Sequence, residues 1–149
     1  EELETMTTYM TIENMRFSNE IDFKINVADD IDLKKIRVPS LILQPFIENS
    51  LWHGLSSKLN DKKIIIDVEN TIPDYISISI TDNGVGRKVS AKRKLKETFK
   101  RRSVGIEITR ERLYLFAERF NRSFELKIED LYDEYNVATG TKIILNIPF

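Results

Sequence analysis

The spacing of apolar side chains changes period several times along the chain, and each change predicts an element. Leu3, Met6, Met10 and Phe17 fall near helical spacing, with Glu4, Thr7, Thr8, Glu13 and Asn14 between them. This predicts an amphipathic helix that ends before Ile21. Ile21, Phe23, Ile25 and Val27 then alternate with Asp22, Lys24 and Asn26, the period of a half-buried strand, and Asp29-Asp30 marks a turn. Ser40 to Leu55 is mainly apolar and long enough for a helix, with Ser40 the expected N-cap and Gly54 the stop. Pro45 is tolerable there only within the first turn or two, because it lacks a backbone donor.

Lys63 to Val68 and Tyr75 to Thr81 are β-rich runs expected to pair as antiparallel neighbours, with Ile76, Ile78 and Ile80 on one face. Ile106, Thr109, Leu113, Phe116, Ala117 and Phe120 return to helical spacing. Phe124 to Ile128 and Lys142 to Ile147 complete the strands, with Gly140-Thr141 opening the last one. The order is helix, strand, helix, two strands, a long connection, helix, two strands. It predicts an α/β fold: a two-layer sandwich with a mixed, mostly antiparallel five-stranded sheet and about three helices on one face. Some sixteen residues between Gly86 and Ser103 are more than a compact domain normally leaves without structure, which predicts a functional lid over about 87–103.

Composition narrows the picture. A chain of 149 residues, 41% hydrophobic and 32% charged, holds one core and reads as a soluble globular domain. A net charge of -1 gives no general reason to expect nucleic acid or membrane binding. The lid is different: from Arg87 to Arg102 nine basic residues face Glu97 alone, which suggests a local anionic ligand. The absence of cysteine excludes disulfides and thiolate metal sites, and the single histidine, His53, excludes multi-histidine ligation. No apolar run approaches the roughly 18–20 residues that span a bilayer. Glu1-Glu2-Leu3 lacks an initiator Met, so a fragment of something larger is expected.

Asp82-Asn83-Gly84-Val85-Gly86 directly follows a strand. Its glycines let backbone approach a flat ligand, and a carboxylate at a strand end can accept from an exocyclic amine such as that of adenine. Taken alone, however, Asn-Gly after a strand is also the commonest signal of a hairpin turn. Glu48-Asn49 is polar within an apolar segment; an Asn oxygen there can ligate Mg²⁺ or merely satisfy the backbone. Gly105, expected at the start of a helix just after the basic lid, would offer free N–H groups to phosphate.

The order and spacing of these signals resemble the GHKL family, which includes gyrase, Hsp90, histidine kinases and MutL. Within it, Leu43-Gln44-Pro45-Phe46-Ile47-Glu48-Asn49-Ser50-Leu51-Trp52-His53-Gly54 resembles the N box of LytS-type sensor histidine kinases. Ser103-Val104-Gly105-Ile106-Glu107-Ile108-Thr109-Arg110-Glu111-Arg112-Leu113 is similar to their G2 box. Tyr9 to Phe17 is similar to the segment between their phosphoacceptor helix and ATP domain. Four positions depart from the pattern: Ser103 replaces the first glycine of the G2 box, Ile106 and Ile108 replace a Leu and an Asn, and Trp52 replaces a Lys.

The resemblance implies the ATP-binding catalytic domain of a two-component sensor histidine kinase, using ATP and Mg²⁺. Asp82 would bond the adenine amine, with Gly84 and Gly86 shaping that wall and Thr141 supporting it. Asn49 would hold the metal, with Glu48 beside it in the catalytic segment. His53, Lys88, Ser103 and Gly105 would complete the nucleotide site. Residues 1–19 would end a dimerisation helix and 20–149 would form the catalytic domain of a homodimeric, inner-membrane bacterial sensor, this part being cytoplasmic. The phosphoacceptor would lie upstream, and a response regulator of the LytTR type would receive the phosphoryl group. His53 itself sits inside the site and is a poor phosphoacceptor. Two alternatives remain at this level. A gyrase-like ATPase would need a base one turn before Asn49, where Pro45 stands; a degenerate nucleotide-sensing or docking module needs no chemistry.

Overall fold

The computed structural model describes residues 1–18, 20–89 and 96–149; the side chains of 96–103 lie outside that description. The elements are α1 (Glu2–Arg16), β1 (Ile21–Val27), α2 (Gln44–Asn49) continued by a π-helical segment (Ser50–Leu55), β2 (Lys62–Ile72), β3 (Tyr75–Asp82), α3 (Lys96–Glu118), β4 (Glu125–Tyr132) and β5 (Ala138–Pro148). The strands form one sheet in the order β1-β2-β3-β5-β4. β1 runs parallel to β2 with Ile21 opposite Lys62, and the other three pairings are antiparallel. A parallel pair needs a crossover of a dozen or more residues, and the segment carrying α2 and the π turn supplies it.

Alternation decides which sheet face is dry. Ile64, Ile66 and Val68 on β2, Ile76, Ile78 and Ile80 on β3, and Ile143, Leu145 and Ile147 on β5 all enter one core. Met6 and Met10 of α1, Phe46 and Ile47 of α2, Leu51 and Leu55 of the π segment and Leu113 of α3 close over it. Each such side chain, once fully buried, contributes roughly 1.5–3 kcal/mol. The expected five-stranded mixed sandwich is therefore the observed fold.

Three expectations are corrected. The helix expected from Ser40 begins at Gln44, with Leu43 as its N-cap, because Leu41 takes a left-handed conformation (φ 58°) that no helix continues through. Pro45 thereby falls in the first turn, where its missing donor costs nothing. Glu2 of α1 does the capping instead: its carboxylate accepts from the N–H of Leu41 (2.6 Å) and Leu43 (3.0 Å). Gly105 does not open a helix either. α3 starts at Lys96, since Lys96 to Ser103 contains neither Gly nor Pro to stop it, and Gly105 is its tenth residue. The final strand likewise opens at Ala138, with Gly140 inside it.

Candidate functional site

The site is organised around one carboxylate. Asp82 ends β3, and its side chain is only 4% exposed. Its Oδ2 accepts from Ser50 Oγ at 2.8 Å, and its Oδ1 from the N–H of Gly84 at 2.9 Å. The backbone N–H of Thr141, opposite Asp82 in the β3–β5 register, adds a third donor. Burial nonetheless dominates and raises the Asp82 pKa above its ordinary value, with these bonds and the charge of Lys58 opposing it. A buried carboxylate held so by neighbouring donors has free lone pairs for a ligand amine.

Glycines allow everything around it to come close. A Cβ on Gly84 would stand 2.4 Å from Gly54 Cα, one on Gly54 2.9 Å from Asp82 Oδ1, and one on Gly140 1.9 Å from the Asp82 carbonyl oxygen. Gly86 takes φ 80°, and Val85 N–H donates to the Gly54 carbonyl at 3.1 Å. The loop after β3 is thus laid onto the π segment and is no hairpin turn, because β3 is flanked by β2 and β5. Asn83 braces it from the other side: its Oδ1 accepts from Lys63 N–H, its Nδ2 donates to the Asp61 carbonyl, and Lys58 Nζ donates to its backbone oxygen.

The N-box residues divide. Ser50, Gly54 and buried His53 lie on the π segment; His53 Nδ1 is buried without a hydrogen-bond partner among the described residues. Asn49, the last residue of α2, is half-buried. Glu48 is not brought to Asp82. Its carboxylate accepts from Gln44 Nε2 at 2.8 Å and meets the Tyr9 hydroxyl of α1, whose phenol is pushed up by burial and then by the charges of Glu48 and Glu13. Adjacent helical positions diverge by about 100°, so Asn49 points away from the side on which Glu48 meets Gln44 and Tyr9. Trp52 packs on Phe17, ring centroids 5.7 Å apart.

The segment expected to form the lid begins with an anchor that sequence reasoning missed. Arg87 Nε and Nη2 reach both Asp130 oxygens on β4 at 2.7 and 2.8 Å, which holds the Asp130 carboxyl below its ordinary range. Lys88 Nζ lies 5.8 Å from the Tyr132 ring centroid. Residues 90–95 of the expected lid, and the Ser103 side chain, lie outside the described residues. Gly105 sits inside α3, where its N–H is not among the four free ones of a helix start; its hydrogen faces Pro45, since a Cβ there would be 3.8 Å from that of Pro45. Ser50, missed too, had one signal: it is a hydroxyl in an otherwise apolar stretch.

The fold, the order of its parts and the relatives agree. No family model matches the chain. It is 28% identical over 148 residues to the sensor histidine kinase YesM of Bacillus subtilis, covering 99% of this chain and 23% of that protein. It is 38% identical over 85 residues to the sensor protein LytS of Oceanobacillus iheyensis, covering 57% of this chain and 14% of that one. The chain is related to the sensor histidine kinases. It spans less than half the length of these curated relatives. Among solved structures, full-length ShkA, in complex with AMPPNP, superposes with a TM-score of 0.63 at 12% identity, covering 99% of this chain and 29% of ShkA. That likeness is of fold. Within the sensor-kinase fold, Asp82, Ser50, Gly84 and Thr141 are the residues that converge, while Glu48 is turned away.

Proposed function

We propose that the chain binds Mg-ATP as the catalytic domain of a sensor histidine kinase. It presents the γ-phosphoryl group to a histidine that is not His53. The observation that carries this reading is the Asp82 carboxylate, buried at a strand end and walled by glycines. Its free lone pairs match an adenine amine, and Thr141 and Ser50 keep it oriented. Asn49 would hold the metal. Phosphates and water would supply its remaining ligands, as is usual for Mg²⁺. The metal, when bound, neutralises charge developing on the phosphates. An imidazole nitrogen attacks the γ-phosphorus, the bond to the β,γ-bridging oxygen breaks, and ADP leaves; the phosphoryl group then passes to an aspartate of a response regulator, for which we propose the LytTR type. Residues 1–19 belong to a dimerisation helix in this reading, and the domain faces the cytoplasm beneath a membrane sensor.

An ATPase of the gyrase kind is disfavoured by two positions: Pro45 stands where a base is needed, and Glu48 is held by Gln44 and Tyr9.

Calorimetry with a non-hydrolysable ATP analogue tests the reading. Binding should be Mg²⁺-dependent, fall at least about tenfold in Asp82→Asn, and lose its Mg²⁺ dependence in Asn49→Asp. Wild-type protein that binds no analogue would overturn it. Radiolabel from γ-labelled ATP accumulating on this chain alone would overturn the role given to His53.

A further inference from the structure

The chain leaves the sheet immediately after Asp82, and the polar groups of Asn83 decide how. In the β2–β3 register Ile65 faces Thr81 and Ile64 faces Asp82, so Lys63 and Asn83 come next. An antiparallel pair at such a position normally exchanges two backbone bonds. Here only one is of that kind: Asn83 N–H donates to the Lys63 carbonyl at 3.3 Å, whereas Lys63 N–H donates to the side-chain Oδ1 of Asn83 at 2.8 Å. The carboxamide stands in the ladder where the main-chain carbonyl would be, and that carbonyl is turned out of it.

Lys58 takes up the displaced carbonyl. Its Nζ donates to Asn83 O at 2.9 Å, and its side chain is only 26% exposed. Asp61 balances the ammonium from 3.9 Å, and the Asp61 carbonyl accepts from Asn83 Nδ2 at 2.7 Å. All the polar groups of Asn83 are thus bonded to Lys58, Asp61 and Lys63, which precede or open β2.

The Asn83 carbonyl and the Gly84 N–H belong to one planar peptide unit, so fixing one fixes the other. At one end of that plane the oxygen accepts from Lys58; at the other the Gly84 N–H donates to Asp82 Oδ1 at 2.9 Å. Lys58 therefore orients a donor that holds the Asp82 carboxylate. Burial raises the Asp82 pKa, and the Lys58 charge is among the influences that oppose it. We propose that Lys58 is a positioning residue for base recognition: through the Asn83–Gly84 peptide it sets the rotation of the Asp82 carboxylate, and with it the lone pairs left for the 6-amino group of adenine. The inference rests on the nucleotide reading given above. Lys58 acts through Asn83 and Asp82 and not on the base itself.

The test is calorimetry with two non-hydrolysable ligands in the presence of Mg²⁺: the β,γ-imido analogue of ATP, and its purine riboside counterpart, which carries hydrogen in place of the 6-amino group. Wild-type protein should prefer the adenine compound by at least about tenfold, the effect of one bond to a buried carboxylate. Lys58→Met keeps the length of the side chain and loses the donor. Its preference should fall below about threefold, while its affinity for the purine compound stays within about twofold of wild type. Lys58→Arg restores a donor and should restore the preference. Lys58 lies outside the hydrophobic core, so both variants should keep the wild-type circular dichroism spectrum. A Lys58→Met protein that keeps the preference, that loses both compounds equally, or that Lys58→Arg does not rescue overturns the proposal and leaves the nucleotide site standing. Wild-type protein that binds neither compound, or both equally, overturns the reading of Asp82 and this inference with it.

Discussion

Ser50 Oγ donates to Asp82 Oδ2 across 2.8 Å, and this bond joins the helical segment after Asn49 to the end of β3. Both groups are buried. Removing the hydroxyl leaves a buried carboxylate short of one donor, which costs about 1–3 kcal/mol. Ser50→Ala should therefore lower the urea midpoint by a matching amount and weaken an ATP analogue as well. A variant of wild-type stability and affinity would show that the bond orients nothing.

Asp82 also carries a pH signature. Folded Asp82 holds its proton to a higher pH than the ordinary 3.8, because burial outweighs its bonds. The neutral form's contribution is thus complete below that ordinary value and is lost as pH rises through the raised one. Relative to Asp82→Asn, the wild type should melt at progressively lower temperature as pH climbs from about 4. A difference that is flat with pH contradicts this.

Two glycines should respond oppositely to alanine. Gly84→Ala drives a Cβ to 2.4 Å from Gly54 Cα and should destabilise by roughly 1–3 kcal/mol or more. Gly105→Ala meets only Pro45 at ordinary contact distance inside α3, so helix propensity should stabilise the fold by about 0.8–1 kcal/mol. Chemical denaturation of both variants checks the pair; a destabilised Gly105→Ala would mean that the helix does not extend back to Lys96.

The Arg87–Asp130 pair should matter for position more than for stability. Arg87 is half-exposed, so solvent screening limits the pair to about 0–1 kcal/mol. Asp130 is depressed by Arg87, so its contribution is present above 3.8 and is lost as pH falls below it. Asp130→Asn should speed hydrogen exchange at the amides of Arg87, Lys88 and Val89 while leaving the global midpoint within about 1 kcal/mol. Unchanged exchange would show that residues 87–89 are held by something else.

The pattern of apolar positions was sufficient for the sheet, because a period of two leaves only one face for Ile64, Ile66, Ile76, Ile78 and Ile80 to bury. The glycine-rich loop after a strand pointed to Asp82, and the resemblance to the N box to Asn49, without any coordinates. Element starts were less legible. Ser40 looked like a cap and Gly105 like a helix start because both residue types favour such places, but local preference is weak against what packs from a distance.

By itself, then, the sequence determined the element order, the buried face and the strand end that bears Asp82, all of which follow from short-range periodicity. Only the tertiary structure decided which polar groups meet. Glu2 caps residues some forty positions away, Ser50 reaches Asp82 across 32, and Arg87 reaches Asp130 across 43. Contacts at such separations depend on how elements stack and on which side of a helix turn a side chain leaves. That same geometry sent Glu48 to Tyr9 and Gln44, a destination no local pattern in the sequence announces.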